Sequence, residues 1–144
     1  MLDKTDWAHL IPHAGTMCLL DAVVAWSDAS IHAVSGGHAD TLHPLRTDEG
    51  LHAVHLAEYG AQAMAVHGAL GQRVRGVEVA RGGRLVSLRD LKLEVEYVDA
   101  GAGRLDVHAE RLAADDSGAQ YVFRVEQAGQ LLASGRAAVL YVDA

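Results

Sequence analysis

The chain has 144 residues, half of them apolar and 22% charged, with a net charge of −7 at neutral pH. That length suits one domain over residues 1–144 with a core of its own, and the composition excludes a disordered chain. The acidic balance argues against a general nucleic-acid binder, and a lone cysteine, Cys18, excludes an intramolecular disulfide and fits a reducing, cytoplasmic setting.

From the N-terminus, Met1-Leu2-Asp3-Lys4-Thr5-Asp6 has no basic stretch leading into an apolar run, so no signal peptide is expected. Trp7 to Ile11 is a short apolar opening stopped by Pro12. Met17 to Trp26 reads as a buried strand, with Cys18 as a small core hydrophobe. Ser27 to Ser30 forms a turn, and Ile31 to Ser35 returns as a second strand. An irregular, histidine-containing stretch from Gly36 to Gly50 leads into a helix expected over Leu51 to Leu70. This helix is apolar on nearly every face, as suits one wrapped by other structure. It approaches membrane-spanning length, but His52, His55, His67, Glu58 and Gln62 count against insertion.

After the helix the pattern changes to a period of two. Leu91, Leu93, Val95 and Tyr97 share one face of a strand, and Leu105, Val107 and Ala109 share the same face of the next. Turns at Asp99–Gly103, Asp115–Gly118 and Ala128–Gln130 separate strands at Leu105–Glu110, Tyr121–Glu126 and Leu131–Val142. The order describes an α+β fold, one long central helix against a curved antiparallel sheet.

A single carboxylate, Glu58, sits in the middle of the apolar helix, where it is expensive to bury unless paired, capping a neighbouring loop, or used. His43, in His43-Pro44-Leu45-Arg46 just upstream, is placed to reach the same slot. One titratable base and one titratable acid around an apolar slot can move protons on a greasy substrate. Gln62, one turn after Glu58, reads as a structural hydrogen-bonder that can also orient it. His52, His55 and Glu58 lack the His-Glu-x-x-His order and any cysteine partner, so no metal is expected. Arg73, Arg75, Arg81, Arg84, Arg89 and Lys92 are half of the twelve basic residues, set against only Glu78 and Asp90 in the same window. Such a patch suits an acidic carrier protein or the phosphates of pantetheine or CoA, or is an ordinary solvated surface.

Two segments carry a family resemblance. Ile11-Pro12-His13-Ala14-Gly15-Thr16-Met17-Cys18-Leu19-Leu20-Asp21 and Glu58-Tyr59-Gly60-Ala61-Gln62-Ala63 resemble the opening and the helix motif of the hot-dog fold 3-hydroxyacyl-acyl carrier protein dehydratases. With Ser87-Leu88-Arg89-Asp90-Leu91, the likeness is strongest to dehydratase-like proteins of aryl-polyene-type pathways. The family's His-Phe-Pro-Gly turn is represented here by His43-Pro44-Leu45-Arg46, 15 positions before Glu58, and its Pro-Gly at the helix start by His52-Ala53.

The resemblance implies a hot-dog domain that dehydrates a carrier- or CoA-bound 3-hydroxyacyl thioester without a cofactor. It implies that His43 takes the α-proton, with His38 the second candidate, and that Glu58 serves the leaving hydroxyl. The Ala53 amide would face the thioester oxygen. It further implies a homodimer, or a heterodimer with another hot-dog subunit, paired sheet edge to sheet edge, with His43 of one chain facing Glu58 of the other. Two alternatives stand beside this reading: a hot-dog thioesterase, and a catalytically silent acyl-binding subunit of a paired dehydratase.

Overall fold

The computed structural model describes residues 1–11, 15–76 and 82–142. Its strands are β1 (Leu2–Asp3), β2 (Ala22–Trp26), β3 (Ser30–Ser35), β4 (Gly82–Leu93), β5 (Leu105–Ala114), β6 (Gly118–Gln127) and β7 (Gln130–Val142). They form one antiparallel sheet in the order β1-β2-β3-β5-β6-β7-β4. A short helix, α1 (Lys4–Trp7), follows β1, and the long helix α2 (Leu56–Val74) lies between β3 and β4 in sequence. Because β5, β6 and β7 lie between β3 and β4 in the sheet, the chain must pass over them to reach β4, and α2 makes that crossing.

Alternation along the strands decides which residues α2 meets. Ala119, Tyr121, Phe123 and Val125 of β6, with Leu105, Val107 and Ala109 of β5, are buried, whereas Gln120 and Arg124 between them face outward. Tyr59, Ala63, Met64, Val66 and Leu70 of α2 complete the core with Trp7 from α1. Phe123 sets the helix–sheet spacing. A Cβ built on Gly60 would lie 2.6 Å from its ring, and one on Gly135 of β7 would lie 2.8 Å from it. Glycine at both positions is what admits the ring between helix and sheet.

Three boundaries differ from the expectation. The strand expected over Met17–Trp26 pairs only from Ala22, because the Leu19 amide donates to Gln62 Oε1 (2.8 Å) and the Met17 carbonyl accepts from Gln62 Nε2 (2.6 Å). A side chain of α2 thus satisfies backbone that would otherwise need a neighbouring strand. The helix begins at Leu56 after a 3-10 turn at Ala53–His55 capped by His52, and runs on to Val74. The strand expected over 91–97 is the end of a longer one. Glu94 N still donates to Leu132 O of β7 (2.8 Å), and beyond it the chain pairs instead with the entry to α2, through Ala53 N to Glu96 O (2.8 Å) and Val98 N to Leu51 O (2.9 Å).

β4 is an edge strand with two register shifts, Leu85/Ser87 and Arg89/Lys92, and Asp90 takes a left-handed φ of 53° at the second. Leu85, Val86, Leu88 and Leu93 along this edge are exposed. Such an edge sets unpaired backbone groups beside exposed apolar side chains. Among the described residues, no helix is long and apolar enough to cross a membrane.

Candidate active site

Glu58 enters the first turn of α2 and is half-buried at one end of an apolar groove of about 310 Å³. Ile11, Ala61, Met64, Ala65, Gly83, Leu85 and Val139 line the rest, so Glu58 is the ionisable side chain among the groove's described lining residues. Small residues at 61 and 65, one helical turn apart, keep the groove open along α2. Exposed Leu85 belongs to both the groove wall and the unpaired edge of β4, so a subunit bound at that edge would roof the groove.

His43 does not line this groove. It lies at the other side of the helix start, buried, with Nε2 2.8 Å from the Tyr59 hydroxyl and Nδ1 accepting the Leu45 amide at 3.1 Å. A backbone N–H can only donate, so Nδ1 is the acceptor and the imidazole proton sits on Nε2. Nε2–H therefore donates to Tyr59. Tyr59 in turn meets the Ser35 hydroxyl, which donates to the Leu19 carbonyl at 2.6 Å. Burial first, then the nearby His38 and His55, holds His43 below the ordinary histidine value, so the ring is neutral at pH 7. Burial also pushes the Tyr59 phenol far up, which keeps it a hydrogen-bonding group and not an acid.

The other expected residues take these places. His38, also buried, is held below its ordinary value by burial. Its Nε2 lies 3.3 Å from Gln127 Nε2, and its Nδ1 has no hydrogen-bond partner among the described residues. The Ala53 amide, expected to face the substrate oxygen, already donates to Glu96 O. The Val54 amide is taken by His52 Nδ1 (3.0 Å), and that of His55 by His52 O (3.1 Å). Gln62 is chiefly the clamp on residues 17–19, with Nε2 also 3.5 Å from Glu58 Oε1. The clustering of His52, His55 and Glu58 makes no metal site, and among the described residues no group of three or more His, Cys, Asp or Glu could hold a metal ion.

The basic cluster divides. Arg73 and Arg75 end α2, where Arg73 binds the Asp6 carbonyl at 3.0 Å, and Arg81 lies outside the described residues, as do Pro12, His13 and Ala14. Arg89 pairs with Arg136 of β7 and Lys92 with Ser134 on the face of the sheet away from α2, around two hollows that Gln120, Arg124 and Arg136 also line. Arg136 escapes a reading confined to one sequence window, although its outward place in Gly135-Arg136-Ala137 follows from the alternation of β7. Tyr59 is the other residue such a reading passes over. Its signal is a phenol in an apolar helix, which needs a partner when buried.

The sequence matches the ApeP-like family, described as ApeP dehydratase, over residues 5–143. The chain belongs to the ApeP-like dehydratase family. Among solved structures, this ApeP-like chain is similar to the dehydratase heterocomplex ApeI:P from Xenorhabdus doucetiae, with a TM-score of 0.85 and 24% identity over 94% of this chain and 90% of that one. It is also similar to AziG of S. sahachiroi, with a TM-score of 0.61 and 19% identity over 94% of this chain and 99% of that one. A third is the thioesterase SAV0944 of Staphylococcus aureus, with a TM-score of 0.62 and 14% identity over 85% and 93%. No curated protein matches the sequence. The fold is the hot-dog fold, and the family makes the chain a dehydratase.

Proposed function

We propose that this ApeP-like dehydratase converts a 3-hydroxyacyl thioester, presented on an acyl carrier protein or CoA, into the 2-enoyl thioester within a hot-dog dimer. The observation that carries the reading is Glu58 at the head of an apolar groove that opens at the unpaired edge of β4. The groove takes the acyl chain. A histidine brought across the dimer interface takes the α-proton. The electron pair of the Cα–H bond becomes the second bond between Cα and Cβ while the Cβ–O bond breaks. Glu58 gives its proton to the departing hydroxide, which leaves as water. The proton held by the imidazolium then returns to the Glu58 carboxylate, so neither group is consumed.

Edge-to-edge pairing at β4 supplies the interface. The subunit paired there is a second copy of this chain or a different hot-dog protein. The basic face of Arg89, Lys92 and Arg136 suits an acidic carrier protein. Arg136→Glu should raise KM several-fold for a carrier-bound substrate and leave KM for a pantetheine thioester unchanged.

The test offers a panel of 3-hydroxyacyl-carrier proteins to the chain alone and to the chain co-purified with its second subunit, following enoyl product and free thiol together. Each positioned proton-transfer group is worth roughly 10²–10⁴ in rate, so enoyl formation that Glu58→Gln lowers by about 100-fold is the expected result. Thiol release in place of enoyl product would make the protein a thioesterase. Binding of acyl carrier in every dimer with no turnover would leave a silent acyl-binding subunit.

A further inference from the structure

Taking the groove below Glu58 as the seat of the acyl chain, we propose that it works as an open-ended ruler. Gly68, one turn beyond the last residue of α2 that lines it, fixes the chain length the ruler reads. The substrate class follows: a 3-hydroxyacyl thioester whose tail is plain hydrocarbon, of which this chain grips about eight carbons beyond C3.

Glu58 apart, the described residues lining the groove carry no hydrogen-bonding side chain. A hydroxyl far along the tail would leave water and find no side-chain partner, so polar substituents are penalised. The length can be counted on the helix. Glu58, Ala61 and Ala65 follow one another along one face of α2. At 1.5 Å of rise per residue, Ala65 lies about 10 Å along the axis from Glu58, the span of about eight carbons in an extended chain. The volume agrees. About 310 Å³ has room for about ten groups of methylene size, at about 30 Å³ each, close to the share of a water molecule.

The next residue on the same face is Gly68, half-buried but outside the groove's lining. A Cβ built there would meet nothing within 4 Å among the described residues, whereas one on Gly60 would lie 2.6 Å from the Phe123 ring. Packing demands the glycine at 60 and makes no such demand at 68. The backbone makes none either, because Gly68 is helical and not left-handed, and glycine in a helix interior costs stability. What the missing side chain does is end the apolar wall. A tail that passes Ala65 runs on into open space, where further methylenes gain no contact. Longer chains are therefore admitted without added affinity.

The test titrates S-alkyl pantetheine thioethers, from butyl to hexadecyl, into the dehydratase complex and follows binding by calorimetry, which needs no turnover. Affinity should rise by up to about fourfold per methylene while the tail is being buried, and level off near undecyl. Gly68→Leu carries the apolar wall about 5 Å further and should move the plateau out by about four carbons. Ala65→Leu fills the slot one turn earlier and should bring the plateau in by about as much. Opposite shifts separate a ruler from general damage, which lowers every probe alike. A plateau at one length in all three proteins, or a uniform loss across the series, overturns the proposal. Enoyl formation from the matching 3-hydroxyacyl thioesters is followed alongside. If none forms at any length, the dehydratase role of the groove falls, and the alkyl series still judges the ruler.

Discussion

At the first turn of α2 a histidine donates to a tyrosine, and about two turns later a histidine accepts from one. His43 Nε2–H gives its proton to Tyr59, whereas His67 Nδ1 takes the hydroxyl proton of Tyr121 at 2.7 Å. Both rings are buried and both are held below the ordinary histidine value, burial being the first cause in each. The direction is set by the backbone at the second nitrogen. A Leu45 amide fixes His43 as a donor to its phenol, and the Ser27 carbonyl, accepting from His67 Nε2 at 2.9 Å, fixes His67 as an acceptor. The lesson is that an imidazole–phenol contact has no inherent polarity, and the mainchain group on the far side of the ring assigns it. The geometry differs accordingly. The His67 and Tyr121 rings meet edge to face at 87°, whereas His43 and Tyr59 lie nearly parallel at 12°.

The largest expected effect breaks the pair at Tyr121. His67→Leu leaves the Tyr121 hydroxyl without a partner in the core and loses the bond to the Ser27 carbonyl at the β2–β3 turn, a buried unsatisfied group costing about 1–3 kcal/mol and a lost hydrogen bond about 0.5–1.5 kcal/mol. Urea unfolding should show a loss of about 1.5–4.5 kcal/mol, and an unchanged midpoint would mean that the ring is not the tie between α2 and the β2–β3 turn. Next, Tyr59→Phe strands the His43 N–H alone and should cost about 1–3 kcal/mol. It should also release His43 from its single tautomer, which long-range ¹H–¹⁵N correlation spectra of ¹⁵N-labelled protein would register. Tyr121→Phe removes only the donor to His67 Nδ1, and about 1 kcal/mol is expected.

A smaller, graded effect is shared by both rings. Since folding lowers the pKa of His38, His43, His67 and His108, the unfolded chain binds more protons than the folded one below about pH 6.5. The stability these groups contribute is complete above that pH and falls as the pH drops through the depressed folded values. Melting temperature should therefore decline steadily from pH 7.5 to pH 5, with a shallower slope in the His67→Leu protein. A flat profile would mean that these rings protonate in the folded state without penalty.

Much of the architecture was legible because it rests on periodicity. The alternation through Leu105–Ala109 placed the inner face of β5 correctly, and Tyr121–Glu126 was legible as a strand, within β6. What escaped has specific causes. β4 was read only from Leu91 because its two register shifts break the period-two pattern across Gly82–Asp90. Residues 17–21 looked like strand because their apolar side chains are buried, yet a Gln62 amide, 43 positions from Leu19, takes the Met17 carbonyl and the Leu19 amide. His43 and Glu58 were brought to the same turn of the helix but to different sides of it, and spacing alone does not say which side. The state of His43 depends on the amide of Leu45, a group every residue but proline carries, so no choice of side chain announces it.

The seating of Phe123 between Gly60 and Gly135 has a consequence for how this sequence can change over generations. Neither glycine can accept a methyl group while the ring is present, and shrinking the ring first would open a void that weakens the core. Such neighbours couple strongly, so the three positions are free to drift only in concert. Homologues with a larger residue at either glycine should carry a smaller one at the position of Phe123, and the path between the two solutions passes through a less stable ancestor.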